Sequence, residues 1–190
     1  VTSLTKFFTG RGDVMAGAAV VNPAGPFAAD LLRAVQAEYE DVVWGGDALL
    51  VDRYSDDFPA RMRQVNATTA TLCDELAAHP AVAEVYYPRR RDRARYDAYR
   101  FPDGGYSGLF SLVLKDAAQT SAPFFDRLAI NKGPNLGTTF SLCCPFTLLA
   151  HYDELDWAER CGVSRHLIRF SIGLEPLDDL RQRLLTALNR

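Results

Sequence analysis

The sequence predicts an α/β fold, and three observations carry that prediction. Helix-like and strand-like segments alternate along the 190 residues. One apolar stripe runs unbroken through Phe58, Met62, Val65, Thr69, Leu72 and Leu76, stepping by three or four as one side of a helix does. Short apolar runs such as LFSLVL (109–114) and LIRFSI (167–172) have the length and content of buried strands. Composition agrees, with 48% apolar and 24% charged residues, the balance of an ordinary globular protein. A formal net charge of −3 leaves no electrostatic footprint for nucleic acid. No apolar run approaches the ~18 residues that would cross a bilayer, and no secretory pattern opens the sequence, so a cytoplasmic location without a membrane partner is expected. Cys73, Cys143, Cys144 and Cys161 lack metal-ligand spacing and read as reduced thiols. His79, His151 and His166 are scattered, which leaves a metal site with little support.

Each element follows in order. Residues 13–22 (DVMAGAAVVN) are small and apolar and read as a buried strand ended by Asn22-Pro23. Pro26 starts a helix with Phe27, Leu31, Leu32, Val35 and Tyr39 on one side. Ser55 is placed to N-cap the long striped helix, which His79-Pro80 stops. Val82–Tyr87 and Leu109–Leu114 follow as strands, separated by a charged, aperiodic loop, PRRRDRARYDAYRFPDGG. Ser141–Cys144 reads as a short strand, Asp153–Arg160 as a short helix closed by Gly162, and Leu167–Ile172 as a further strand. Pro176 opens a last helix with Leu177, Leu180, Leu184 and Leu188 along one side. Asp178 and Asp179 suit the positive end of its dipole. The domain boundary is expected inside the long helix near Val65, dividing 1–64 from 65–190.

Three stretches carry candidate chemistry. In an extended Ser3-Leu4-Thr5, the side chains of Ser3 and Thr5 share a face, and two hydroxyls beside glycine-rich backbone suit a phosphate. Lys6 could pair with that phosphate, form a Schiff base with a carbonyl, or simply be solvated; spacing alone favours the last. In LIRFSI, Ile168, Phe170 and Ile172 share one face and leave Arg169 and Ser171 on the other. An arginine so placed calls for an anion: a bound carboxylate, or equally a structural ion pair with Glu175 or Asp179. The polar stretch NKGPNLGTTFSL is a binding loop or a turn between strands.

SLTKFFTGRGDVMAG closely resembles the active-site lysine segment of the cysteine/methionine-metabolism family of pyridoxal phosphate enzymes. YSDDFPARM, HPAVAEVYYP, GGYSGLFSLVL, GPNLGTTFSL and HLIRFSIGLEPLDDL resemble further segments in the family's order. The resemblance spans essentially the whole chain. GRGDVMAG, LGTTFSLCCPFTLLAHYDELDWA and RFSIGLE resemble fungal cystathionine gamma-synthases and their secondary-metabolism relatives. It implies the C-terminal portion of an aminotransferase-like, fold type I α/β enzyme: the end of the large cofactor domain (1–64) and the smaller C-terminal domain (65–190). It further implies that Lys6 holds pyridoxal 5'-phosphate covalently and shuttles protons, that Ser3 and Thr5 bind the cofactor phosphate, and that Asn135 and Arg169 bind the amino-acid substrate, Arg169 by its α-carboxylate. The implied reaction is γ-replacement, in which a thiol such as cysteine, or a carbon nucleophile, displaces the acyloxy group of an O-acylhomoserine. A non-catalytic fragment with a role in assembly and a C–S lyase are the alternatives. A homotetramer built as a dimer of dimers is expected.

Departures from the family pattern qualify this. Arg11 stands where many members have histidine, and Asn135 replaces a small hydroxyl residue near the substrate. Phe140 stands where many cystathionine-handling members carry glutamate, which weakens the lyase alternative. The family's lysine lies about midway along its chains, so the resemblance implies a C-terminal portion, whether cleaved, separately supplied or incompletely recorded, and no turnover by these 190 residues alone. Arg11-Gly12-Asp13 and the sequon Asn66-Ala67-Thr68 are expected to be chance strings, and the five arginines within 89–95 a solvated or subunit-facing loop.

Overall fold

A computed structural model describes residues 1–189, and they form two compact units that divide between Phe58 and Pro59. In the first unit, β1 (Thr2–Ser3) pairs antiparallel with β2 (Gly17–Ala18). A single π-helical turn, Leu4–Phe8, follows β1, and two helices complete the unit, α1 (Ala28–Glu38) and α2 (Gly45–Ser55). The strand expected over 13–22 contracts to the two residues of β2 and is largely exposed, with Val14 buried. Its ladder partner, β1, is itself two residues long, so pairing has nowhere to extend. The predicted helix after Pro26 forms, but its stripe of Phe27, Leu31, Leu32, Val35 and Tyr39 is exposed instead of packed. Ser55 is not an N-cap: it is the last residue of α2, where its hydroxyl donates to the Asp52 carbonyl at 2.6 Å.

The long helix α3 spans Phe58–Ala78 and buries Val65, Thr69, Leu72 and Leu76, as the stripe requires. Beyond it the second unit is a five-stranded mixed sheet in the order β3-β4-β7-β6-β5. Its strands are β3 (Val82–Tyr86), β4 (Leu109–Leu114), β5 (Asn131–Lys132), β6 (Leu142–Cys144) and β7 (Ile168–Ser171). β5 and β6 are parallel and the other pairs antiparallel. One core joins Leu72 and Leu76 of α3 to Phe110, Leu112, Cys143, Ile168 and Phe170 of the sheet. Phe124 of α6 (Ala117–Arg127) belongs to it as well, and so, beyond the short helices α7 (Phe146–Ala150) and α8 (Leu155–Arg160), do Leu180 and Leu184 of α9 (Leu177–Leu188). Phe110 and Phe170, opposite one another in the β4–β7 ladder, stack with centroids 4.9 Å apart.

The charged segment after β3 is not a featureless loop. It winds into two short helices, α4 (Pro88–Arg91) and α5 (Arg93–Asp97). Four of its arginines are tied down: Arg89 and Arg90 to Asp74, Arg91 to Glu84 and over the Tyr86 ring, and Arg93 to Asp97. The sequon asparagine also has a structural task. Asn66 Oδ1 accepts the Ser107 N–H at 2.9 Å, and a Cβ on Gly105 would stand 2.1 Å from its side chain. Among the described residues no helix is long and apolar enough to cross a membrane.

Removing the stacked ring at position 170 leaves a cavity in the centre of the sheet. Phe170→Ala should therefore lower stability by about 3–5 kcal/mol, read as a fall in the urea midpoint. A second prediction concerns acid. Hydrogen bonds from Tyr106 and Arg100 hold Asp97 at about 2, below its ordinary 3.8. A depressed carboxylate stabilises the fold above its unfolded pKa and loses that contribution as pH falls through the folded one. The 93–106 segment should keep its anchor at pH 5 and lose it between about pH 4 and 2, an acid step that Asp97→Asn abolishes in amide exchange.

Candidate functional site

The candidate residues fall in both units. In the first, the lysine turn is fixed from several sides. Leu4 and Thr5 N–H both donate to the Ala16 carbonyl, at 2.9 and 3.3 Å. Thr9 N–H reaches back to Leu4 and Gly10 N–H to the Lys6 carbonyl at 2.9 Å. Gly10 and Gly12 take φ of 70° and 78°, a left-handed backbone that suits glycine and turns the chain sharply after the lysine. The residues beyond are clamped to α2: Tyr54 donates to Asp13 at 3.0 Å, and Met15 N–H to Asp47 at 3.2 Å. Arg11 pairs with Asp57 at 3.3 Å and lies over the Tyr54 ring. Both ends of the Arg-Gly-Asp string are thus held within the unit.

Lys6 itself is half-buried, and it breaks the helical geometry of its turn with φ −88° and ψ −125°. Among the described residues its amine meets no hydrogen-bond acceptor and no carboxylate. Ser3 is exposed, with a hydroxyl that caps nothing. Thr5 differs from the simple reading of two free hydroxyls. Its Oγ1 accepts the Ala16 N–H at 3.1 Å and donates to the Ala16 carbonyl at 3.3 Å.

In the second unit, β7 decides the geometry. Ile168 and Phe170 point into the core, so Arg169 and Ser171 stand on the opposite face, with Cys144 and Leu142 as their ladder partners on β6. Neither ion pair considered for Arg169 exists. Glu175 instead takes the Ser141 N–H at 2.7 Å and the Ser141 hydroxyl at 2.8 Å, and Asp179 pairs with Arg183. Arg169 donates to the Pro134 carbonyl at 2.6 Å and lies over the Phe146 ring, 4.6 Å from its centroid. Among the described residues it has no carboxylate partner.

NKGPNLGTTFSL is the loop between β5 and β6 on this face. Gly137, with φ 78°, donates its N–H to Ser171 Oγ at 2.8 Å. Asn135 is exposed, its side-chain oxygen accepting the Leu136 N–H at 2.9 Å. The far end of the loop meets the turn after β7 so closely that a Cβ on Gly173 would lie 2.5 Å from the Phe140 carbonyl carbon. Cys143 is buried in the core, which pushes its thiol up to about 12 and makes it inert. Burial also raises the Cys144 thiol, while the neighbouring Arg169 pulls it back.

Residues 1–189 match the family of Cys/Met metabolism PLP-dependent enzymes. This chain belongs to that family. Among curated relatives of this family member, a cystathionine gamma-synthase of Neurospora crassa is 49% identical over 181 residues, 95% of this chain and 29% of that protein. The cystathionine gamma-synthase-like protein ankD of Aspergillus thermomutatus is 39% identical over 99% of this chain and 33% of its own length. The chain thus spans about a third of the curated relatives it matches. Among solved structures, a cystathionine gamma lyase (CalE6) from Micromonospora echinospora superposes with a TM-score of 0.81 at 26% identity, covering 99% of this chain and 49% of that one. A cystathionine gamma synthase from Xanthomonas oryzae pv. oryzae, in complex with aminoacrylate and cysteine, gives 0.81 at 25% identity, over 98% and 48%.

The residues present suit the family's cofactor. A half-buried amine without a partner is what a carbonyl needs to meet, and the exposed Ser3 hydroxyl is available to a phosphate. Sequence reasoning missed Phe146, Pro134 and the Ser141–Glu175 tie. Glu175 carried a signal, but it was weighed only as a partner for Arg169. If the close approach at Gly173 orders the loop, Gly173→Ala should cost about 1–3 kcal/mol through overpacking against backbone, measured by thermal unfolding.

Proposed function

We propose that this chain supplies the lysine-bearing part of a pyridoxal phosphate-dependent γ-replacement enzyme, acting on an O-acylhomoserine with cysteine as the nucleophile. Its first unit is then the end of the large cofactor domain and its second the small domain. The observation that carries the reading is the lysine turn: an amine with no partner on a rigid, glycine-closed bend, in a chain 49% identical to a cystathionine gamma-synthase.

In this reading Lys6 holds the cofactor and, released from it, takes and returns protons between the substrate's carbons. Pyridoxal phosphate, when bound, supplies the electron sink for those proton losses. Ser3 donates to its phosphate. Thr5, with its hydrogen committed to Ala16, mainly ties the lysine turn to the strand behind it, and it joins the phosphate after a rotation of its hydroxyl. Arg169 receives the α-carboxylate in its planar fork. Asn135 offers an amide to the same end of the substrate. Phe140, 42% exposed, puts an apolar ring where a carboxylate would have gripped a distal amino group, which favours synthesis over cystathionine cleavage. We extend the proposal to a homo-oligomer working in the cytoplasm.

The test supplies the chain with the portion of the Neurospora crassa relative that it does not match, then adds cofactor, O-acetylhomoserine and cysteine. Cystathionine formation is the expected result. Lys6→Ala should abolish it by at least 10³-fold, and Arg169→Lys should raise KM for the acylated amino acid by about 10- to 100-fold. Turnover that survives Lys6→Ala would overturn the reading.

A further inference from the structure

The guanidinium of Arg169 is held by two things that are not charged. Its Nη2 donates to the Pro134 carbonyl at 2.6 Å, and one of its faces lies on the Phe146 ring. Both holders are themselves immobilised. Pro134 sits between Gly133, whose N–H donates to Cys143 at 2.9 Å, and the loop that Gly137 ties to Ser171. Phe146 opens the short helix α7 (Phe146–Ala150), and its own N–H donates to the Leu167 carbonyl at 3.1 Å, two residues before Arg169. Thr147 donates to Ser164 at 2.8 Å and pins the same turn. The Phe146 ring also makes a T-shaped contact with the His151 ring, centroids 6.1 Å apart, and Glu154 holds His151 at 2.6 Å. Cys144, buried, is the ladder partner of Arg169 on β6.

An arginine that must take a carboxylate at two points has to present its fork in one plane before the ligand arrives, or binding loses the entropy of fixing a long side chain. A carboxylate neighbour would fix it but would also neutralise it. A carbonyl and an aromatic face fix it while leaving its charge uncancelled.

We propose that Phe146 is a positioning residue that, with the Pro134 carbonyl, sets the plane of the Arg169 guanidinium for the substrate carboxylate. This rests on the reading of Arg169 given above, and the experiment separates the two. In the 190-residue chain, nitrogen NMR relaxation reports how ordered the Arg169 Nε–H is. Phe146→Leu should lower that order and Phe146→Tyr should keep it. Trifluorophenylalanine at position 146, the same shape with a weakened π-face, should fall between wild type and leucine. In the active assembly, Phe146→Leu should raise KM for O-acetylhomoserine about 3- to 10-fold at nearly constant kcat. Its KM for the α-carboxamide analogue should not move.

Unchanged order in both Phe146→Leu and the fluorinated protein overturns the proposal, as does a KM effect equal for acid and amide. Should Phe146→Leu fail to fold, the fluorinated variant decides. If Arg169→Lys leaves KM untouched, it is the reading of Arg169 that falls, whatever Phe146 does to the order of the side chain.

Discussion

Glu175 gripping Ser141 is the constraint on which the Arg169 face of the second unit depends. One carboxylate takes both the backbone N–H and the hydroxyl of Ser141, and that hydroxyl in turn accepts the Gly173 N–H at 2.9 Å. Hydrogen bonds to a charged acceptor contribute roughly 1.5–3 kcal/mol each. The pair therefore locks the turn after β7 to the entry of β6. Leu174 N–H adds a bond to the Thr139 carbonyl at 2.8 Å. The loop carrying Pro134, Asn135 and Gly137 is anchored at its far end by this knot, and Arg169 takes its bearing from that loop. Spending Glu175 on the backbone is also what keeps it away from Arg169.

Much of the fold was legible wherever local pattern and tertiary environment ask for the same thing. The α3 stripe, LFSLVL, LIRFSI and the leucines of α9 each meet a core that matches their period. Legibility failed where packing overrides the local signal. α2 opens with Gly45-Gly46 and mixes Asp47, Leu49, Asp52 and Arg53 around its circumference, so no stripe announces it. α6 carries Pro123 in its interior, which removes a helical hydrogen bond. That helix holds because Phe124 is buried in the core. The expected buried strand over 13–22 failed for the converse reason: an apolar string without a long partner strand cannot propagate a ladder.

The site divides along similar lines. Strand alternation was enough to single out Arg169 and to leave it undecided between a ligand and an ion pair, whereas spacing alone left Lys6 a solvated amine and only the family resemblance gave it a role. What decided against the ion pair was long-range, since Glu175 is diverted to Ser141 across the sheet. Phe146 had no sequence signature because a ring under a guanidinium joins two separate elements through β6 and β7 geometry. Thr5 shows the opposite limit. Its spacing with Ser3 suggested two equivalent hydroxyls, but backbone pairing with Ala16 makes them unequal.

Helix α1 leaves Phe27, Leu31, Leu32, Val35 and Tyr39 in water, and α1 and α2 bury no residue fully. Cohesion in Val1–Phe58 then comes from directional bonds around the lysine bend more than from expelled solvent. Melting that unit by itself would expose little additional apolar surface to hydration and carry a small heat-capacity increment per residue. The bend that presents Lys6 is for that reason enthalpic in origin, and cooling will tighten it long after an oily core would have begun to loosen.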